Sequence, residues 1–218
     1  MIKLNILYID HKILPMRIII FQFLYLTGLI LYFSTKITLA HGVLSISDKD
    51  SYPVRSYLQV LEATPAEGIA YVVNRYEAGA FQPLPTSGPF NKGATTSIWW
   101  FALPMENLLD KQNNVIIMAA TQNAALITLY EKVNGEFVPV DYTGYDIPSK
   151  DRSLDTRLFS FELNLEPKEE KLYFISVDTQ GGNLYLPFFL DAPKDYWAYE
   201  THRATHYGFF GGIFFSPL

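Results

Sequence analysis

The sequence predicts an all-β protein, a jelly-roll-like antiparallel β-sandwich with one short helix behind an N-terminal export segment. Three observations lead there. Short apolar segments with period-two alternation recur in the second half of the chain. In Leu158–Leu165, Phe159, Phe161, Leu163 and Leu165 fall on one side, and Ser160, Glu162 and Asn164 on the other, the pattern of a half-buried antiparallel strand. Two reversal signals, Asn134-Gly135 and Gln180-Gly181-Gly182-Asn183, each sit between apolar runs. Asn-Gly suits a type I′ hairpin because both residues tolerate positive φ. Finally, only one helical segment precedes the strands, which argues against a parallel α/β sheet.

The elements follow in order. Ile18–Phe33 is sixteen residues without a charge, preceded by Arg17 and followed by Thr38-Leu39-Ala40. That reads as a signal peptide over residues 1–40, with Met16 a tidier start; at sixteen residues the apolar run is short for a spanning helix, which needs about 20. An uncleaved N-terminal anchor is the alternative. Residues 41–190 form the extracytoplasmic sandwich. Ser56–Glu62 reads as its first clear strand. Thr64-Pro65-Ala66-Glu67 is a capping box with proline at the first helical position, predicting a helix over 65–75 with Ile69, Val72 and Val73 on one side. Residues 78–97 hold three Gly and three Pro and read as a loop pinned to the core by Phe81 and Phe90. Strands follow at Ile98–Leu103, Val115–Ala120 and Leu126–Val133, then in the alternating segments 158–165 and 172–178. About eight short strands with regular turns give a sandwich or jelly roll. Residues 191–206 are polar and aromatic and could form a short helix; from Tyr207 the chain is apolar, like a transmembrane helix cut off after it starts.

Composition narrows the function. The chain has 218 residues, 17 Lys+Arg, 22 Asp+Glu and no cysteine, which suggests one domain. Without residues 1–40, four basic residues and Asp10 are lost, leaving 13 basic against 21 acidic groups and a net charge of −8. That balance argues against nucleic acid as a partner. The lack of cysteine removes disulfides, thiol catalysis and thiolate zinc sites.

Three stretches resemble the type 2 extracellular domain of bacterial seven-transmembrane receptors with diverse intracellular signalling modules (7TMR-DISM). The first is Phe81-Gln82-Pro83, then Asn91-Lys92-Gly93, then Ile98-Trp99-Trp100. The second is Thr143-Gly144-Tyr145-Asp146-Ile147-Pro148, then Arg152 and the alternating strand from Arg157. The third is the aromatic segment ending His206-Tyr207-Gly208-Phe209-Phe210-Gly211-Gly212-Ile213. The resemblance covers residues 44–206, and 207–215 resemble the start of the first receptor helix. There are departures. Trp100 and Phe101 stand where the family often has arginine, Glu62 is followed by Ala63 where it often shows Glu-Asp, and the chain ends where seven helices would follow. The resemblance implies a sandwich similar to carbohydrate-binding modules. It also implies a non-catalytic sensory role on the periplasmic side of the membrane, a carbohydrate or other small solute as stimulus, and no cofactor. The alternative is a free-standing secreted or periplasmic carbohydrate-binding module.

Five residues are candidate ligand contacts: Trp99, Trp100, Tyr145, Asp146 and Arg152. Adjacent tryptophans on a strand point to opposite faces, so one enters the core, and the other either packs or offers a platform for a sugar ring. Asp146 and Arg152 share a loop flanked by Tyr142 and Tyr145; they either bind sugar hydroxyls or fix the loop by an ion pair or bonds to backbone. His202 and His206 have helical i, i+4 spacing, with Glu200 nearby as a third metal ligand; a membrane-adjacent segment with Tyr196, Trp197 and Tyr199 at the interface is the plainer reading. No GxSxG, phosphate-loop or dinucleotide motif is present, so enzyme readings are weak; carboxylates such as Asp141 and Asp146 could pair as glycosidase acid and nucleophile, but surface carboxylates are common.

Overall fold

The structure, a computed structural model, describes the backbone of residues 42–85 and 87–215 and the side chains of those residues as far as Thr205. The export segment expected over 1–40 lies outside the described residues. Strands β1 (Leu44–Ile46), β2 (Ser51–Tyr52), β3 (Gln59–Ala63), β4 (Gln82–Pro83), β5 (Phe90–Ala94) and β6 (Ile98–Asn107) come first, with helix α1 (Ile69–Glu77) between β3 and β4. Strands β7 (Asn113–Ala119), β8 (Leu126–Val133), β9 (Glu136–Thr143), β10 (Phe159–Leu165), β11 (Glu170–Asp178), β12 (Asn183–Leu186) and β13 (Phe188–Asp191) follow, then helix α2 (Pro193–Phe215).

The strands form two facing sheets and a ribbon. The large sheet runs β4-β3-β6-β11-β8-β9, with β1 parallel to the far end of β6. The smaller sheet runs β10-β7-β13-β2, and β12 pairs with β5. Pro104 lies in β6 where its neighbour changes from β3, paired to residues 98–102, to β1, paired to 105–107. A residue without an N–H costs a ladder least in such a gap. Trp99, Phe101, Leu103 and Met105 of β6 point between the sheets and meet Ile117, Phe159, Phe161, Leu163 and Leu190 in one buried cluster. The next residues point outward. Trp100, Ala102 and Phe174 are buried on the outer face of the large sheet with Val72 of α1 and Phe81. On the outer face of the small sheet, Ile116, Met118 and Leu158 enclose Tyr196 of α2.

The antiparallel all-β expectation holds, and its turn chemistry is visible. Asn134 and Gly135 have φ of 52° and 92°, and Gln180 and Gly181 have 50° and 85°, the left-handed conformations that tight hairpins require. Several boundaries differ. The strand expected over Ser56–Glu62 is β3 and begins at Gln59, because Val54–Ser56 coil into a 3-10 turn, and β1 and β2 precede it. Half of the capping box is formed: the Thr64 amide donates to Glu67 Oε2 at 2.6 Å, but the Glu67 amide donates to the Thr64 carbonyl and not to its hydroxyl. It closes a turn rather than a helix: Gly68 follows with ψ of −174°, and α1 starts at Ile69. The 78–97 loop holds two short strands, and Phe81 and Phe90 anchor it at 4% and 3% exposure. The run Leu184–Leu190 breaks at Pro187, where the chain leaves β12 and joins the small sheet as β13. Ser160, expected on the solvent side of its strand, is buried beneath α2. The C-terminal region is one continuous helix of 23 residues instead of two segments, about 34 Å long. Among the described residues no helix is long and apolar enough to cross a membrane.

Candidate functional site

One end of the large sheet carries most of the predicted residues. The 144–158 loop begins where Gly144 crosses the start of β8. A Cβ on Gly144, at φ +135°, would lie 2.2 Å from the Ala125 carbonyl oxygen, so only glycine permits this approach. The Tyr145 and Asp146 amides then donate to the Ala124 and Ala125 carbonyls at 3.0 and 3.1 Å. These bonds fix Tyr145 at the sheet end with its side chain 51% exposed. Gln180 Nε2 donates to Asp146 Oδ2 at 2.8 Å, and the Gln180 amide donates to Asp178 Oδ1 at 2.7 Å. A rim of one aromatic ring, two carboxylates and an amide results.

Beside the rim lies an outward-facing row. Pairing registers place Leu61, Trp100, Ser176, Thr128 and Tyr142 next to one another across five strands. The Trp100 and Tyr130 rings are 5.1 Å apart. Burial pushes the Tyr130 phenol above the ordinary value, and the neighbouring Ser176 and Thr128 side chains offset part of that rise. Ser176 and Thr128 are buried, and Tyr142 is exposed. The Trp100 indole N–H is buried without a hydrogen-bond partner.

The predicted residues thus divide. Trp100, Tyr145 and Asp146 share this end of the outer face. Trp99 points the other way, into the inter-sheet core; its ring meets Phe90 at 5.1 Å, Lys92 Nζ sits 4.7 Å from its centroid, and at 5% exposure it presents no open face. Arg152 is a staple. Its Nε donates to the Ile147 carbonyl at 2.9 Å and its Nη2 to the Gly144 carbonyl at 2.8 Å, with the guanidinium 5.0 Å from the Phe159 ring centre. Asp146 bonds Gln180, so the loop is fixed by side-chain-to-backbone bonds. Asp141 bonds Ser153 and the Tyr142 amide, and no interaction joins it to Asp146 among the described bonds. Among the described residues no three His, Cys, Asp or Glu side chains converge as a metal site; His202 is exposed, and the His206 side chain lies outside the described residues.

The sequence profile of the 7TMR-DISM extracellular 2 family matches residues 56–191. The chain belongs to this family. The matched stretch runs from the turn before β3 to the end of β13 and so takes in the whole rim and every strand of both sheets except β1 and β2. It includes the first two stretches of the resemblance and stops short of the aromatic segment after residue 191. Membership makes the chain an extracellular domain of a receptor family and places it on the extracytoplasmic side. No curated protein matches the chain.

In this DISM domain, Thr128, Tyr130, Ser176, Asp178 and Gln180 were not legible as site residues. The signal for Thr128 and Ser176 was a hydroxyl inside an otherwise apolar strand, ITLY and FISV. A further missed feature lies on α2. Tyr196, grouped by sequence with the exposed interfacial aromatics, is fully buried, with its hydroxyl 2.9 Å from Ser160 Oγ and 3.1 Å from Thr156 Oγ1. Trp197 and Tyr199 are exposed at 45% and 47%.

Proposed function

We propose that this DISM domain senses a carbohydrate or similar polyhydroxylated small solute outside the cytoplasm, without catalysis, and that the apolar segment 207–215 joins it to a membrane. The observation that supports the ligand class is the composition of the rim. Exposed Tyr145 on the rim, with exposed Tyr142 in the row beside it, offers a ring face, and such faces suit the C–H faces of a sugar. Asp146, Asp178 and Gln180 offer acceptors and donors fixed by bonds to one another, which suit hydroxyls. A rim ordered before binding loses less entropy on binding.

The test is a thermal-shift screen of the chain against mono- and oligosaccharides. At a concentration 100 times Kd, a true ligand raises Tm by about 5–10 °C. Tyr145→Ala and Asp146→Ala remove that rise while the unliganded Tm stays near the parent value, because both side chains are exposed. Binding that survives both substitutions places the ligand elsewhere. A panel without any shift refutes the ligand class. Alkaline extraction of membranes separates a membrane-joined domain, which stays with the pellet, from a free-standing carbohydrate-binding module, which is released.

A further inference from the structure

We propose that the 144–158 loop is the mechanical link between the rim and helix α2, and that it grips the helix through Tyr196. The proposal deepens the sensing reading and takes its purpose from it, but the link stands on its own geometry. One end of the loop is the rim: the Tyr145 and Asp146 amides donate to the Ala124 and Ala125 carbonyls, and Gln180 donates to Asp146. The other end is the seat of the helix. Thr156 and Ser160 lie within hydrogen-bond distance of the Tyr196 hydroxyl, and Leu154 and Leu158 pack with the Tyr196 ring against Ile116 and Met118.

A free loop of this length would be slack and transmit little. Arg152 removes the slack. It ties the carbonyls of Gly144 and Ile147, at the rim end, to the face of Phe159, at the start of β10. Phe159 stands between Leu158 and Ser160, both of which hold Tyr196. Displacement of the rim is therefore carried by one guanidinium to the residues that seat α2. The Tyr196 hydroxyl and its two partners are buried, so water does not readily replace those bonds once they shift.

Spatial continuity is not coupling, so the test measures coupling, and no ligand is needed. Hydrogen exchange is followed by mass spectrometry on the whole chain, in the parent, in Arg152→Ala and in Arg55→Ala. Arg55 is a comparable staple in another loop, donating to the Pro85 and Ser87 carbonyls. The expected result is that amides of residues 196–203 exchange about tenfold faster in Arg152→Ala and at the parent rate in Arg55→Ala. Two results overturn the link. In one, Arg152→Ala speeds exchange in 144–152 alone, which makes Arg152 a local clamp. In the other, both variants speed 196–203 alike, which marks general destabilisation. If Arg152→Ala does not fold, Arg152→Lys, which keeps the charge on one nitrogen and loses the fork that reaches both carbonyls, carries the same comparison. Because no saccharide is present, failure here removes the link and leaves the rim as a binding site, whereas failure of the saccharide screen leaves the link intact.

Discussion

Replacement of Gly144 by alanine tests the construction of the rim. Two separate costs are expected. A Cβ at positive φ carries about 1–3 kcal/mol of backbone strain. The new carbon would also stand 2.2 Å from the Ala125 oxygen, 2.8 Å from its carbonyl carbon and 2.9 Å from Leu126 Cα. Those are backbone atoms at the start of β8, with Ala125 held by its own amide bond to the Asp178 carbonyl, so the loop must retreat by about 1 Å or more to reach ordinary contact. That retreat breaks the bonds from the Tyr145 and Asp146 amides, each worth about 1 kcal/mol net. The sum is about 4 kcal/mol, a fall in Tm of about 8–16 °C for a domain of this size. Gly79→Ala separates the two costs, because Gly79 also has positive φ, +69°, but nothing lies within 4 Å of its Cβ position. It costs about 1 kcal/mol, or about 2–4 °C. Both variants are compared with the parent by calorimetry or urea unfolding. Equal losses in the two would refute the close approach at Ala125, and with it the reason for the position of Tyr145 and Asp146.

Three further outcomes are expected. Trp100→Phe destabilises less than Trp99→Phe, by about 1–2 kcal/mol in urea unfolding, because it deletes an N–H that has no partner, whereas Trp99 loses its bond to Thr95 Oγ1 at 3.4 Å; the reverse order would show that the Trp100 indole is satisfied. The Glu67 carboxyl is held below 4.5, chiefly by the Thr64 backbone N–H. A depressed carboxyl stabilises the fold above its unfolded value and loses that contribution as pH falls through the folded one, so the stability gap between the parent and Glu67→Gln narrows below pH 4.5; a constant gap would refute the reading. The Tyr173 phenol is pushed well above 10, first by burial and then by the charges of Glu131 and Glu169. Its neutral form contributes fully below pH 10 and is lost as pH rises beyond it, so stability falls by up to about 1.4 kcal/mol per pH unit there. Tyr173→Phe flattens this alkaline limb at the cost of the bond to the Asn164 carbonyl at 2.9 Å; an unchanged limb would assign the loss to other phenols.

The fold was legible because its signals are local. Alternation in 158–165 marked β10, and Asn134-Gly135 marked the β8–β9 hairpin, each within a few residues. The errors arose where one residue overrode a local pattern. Gly68 took an extended conformation and detached the Thr64–Glu67 turn from the helix it was expected to cap. Pro187 split an apolar run between a ribbon and a sheet. Ser160 read as a solvent-facing residue because nothing near it in sequence announces that α2 will cover it.

The site and its link were less legible because each is made of long-range bonds. Gln180 meets Asp146 across 34 residues, and Tyr196 meets Ser160 across 36 and Thr156 across 40. No periodicity marks such pairs. Sequence did single out the loop that joins them, Gly144 to Arg152, because glycine, proline and arginine at that spacing carry the family resemblance. The structure gives the physical reason for that pattern. Glycine allows the chain to touch β8, and arginine ties the loop back on itself and onto β10. Both are demands of a loop that must hold its shape without regular structure. A loop built only to cover the sandwich would not need its two ends tied by one side chain, and that requirement is what the exchange measurement at α2 addresses.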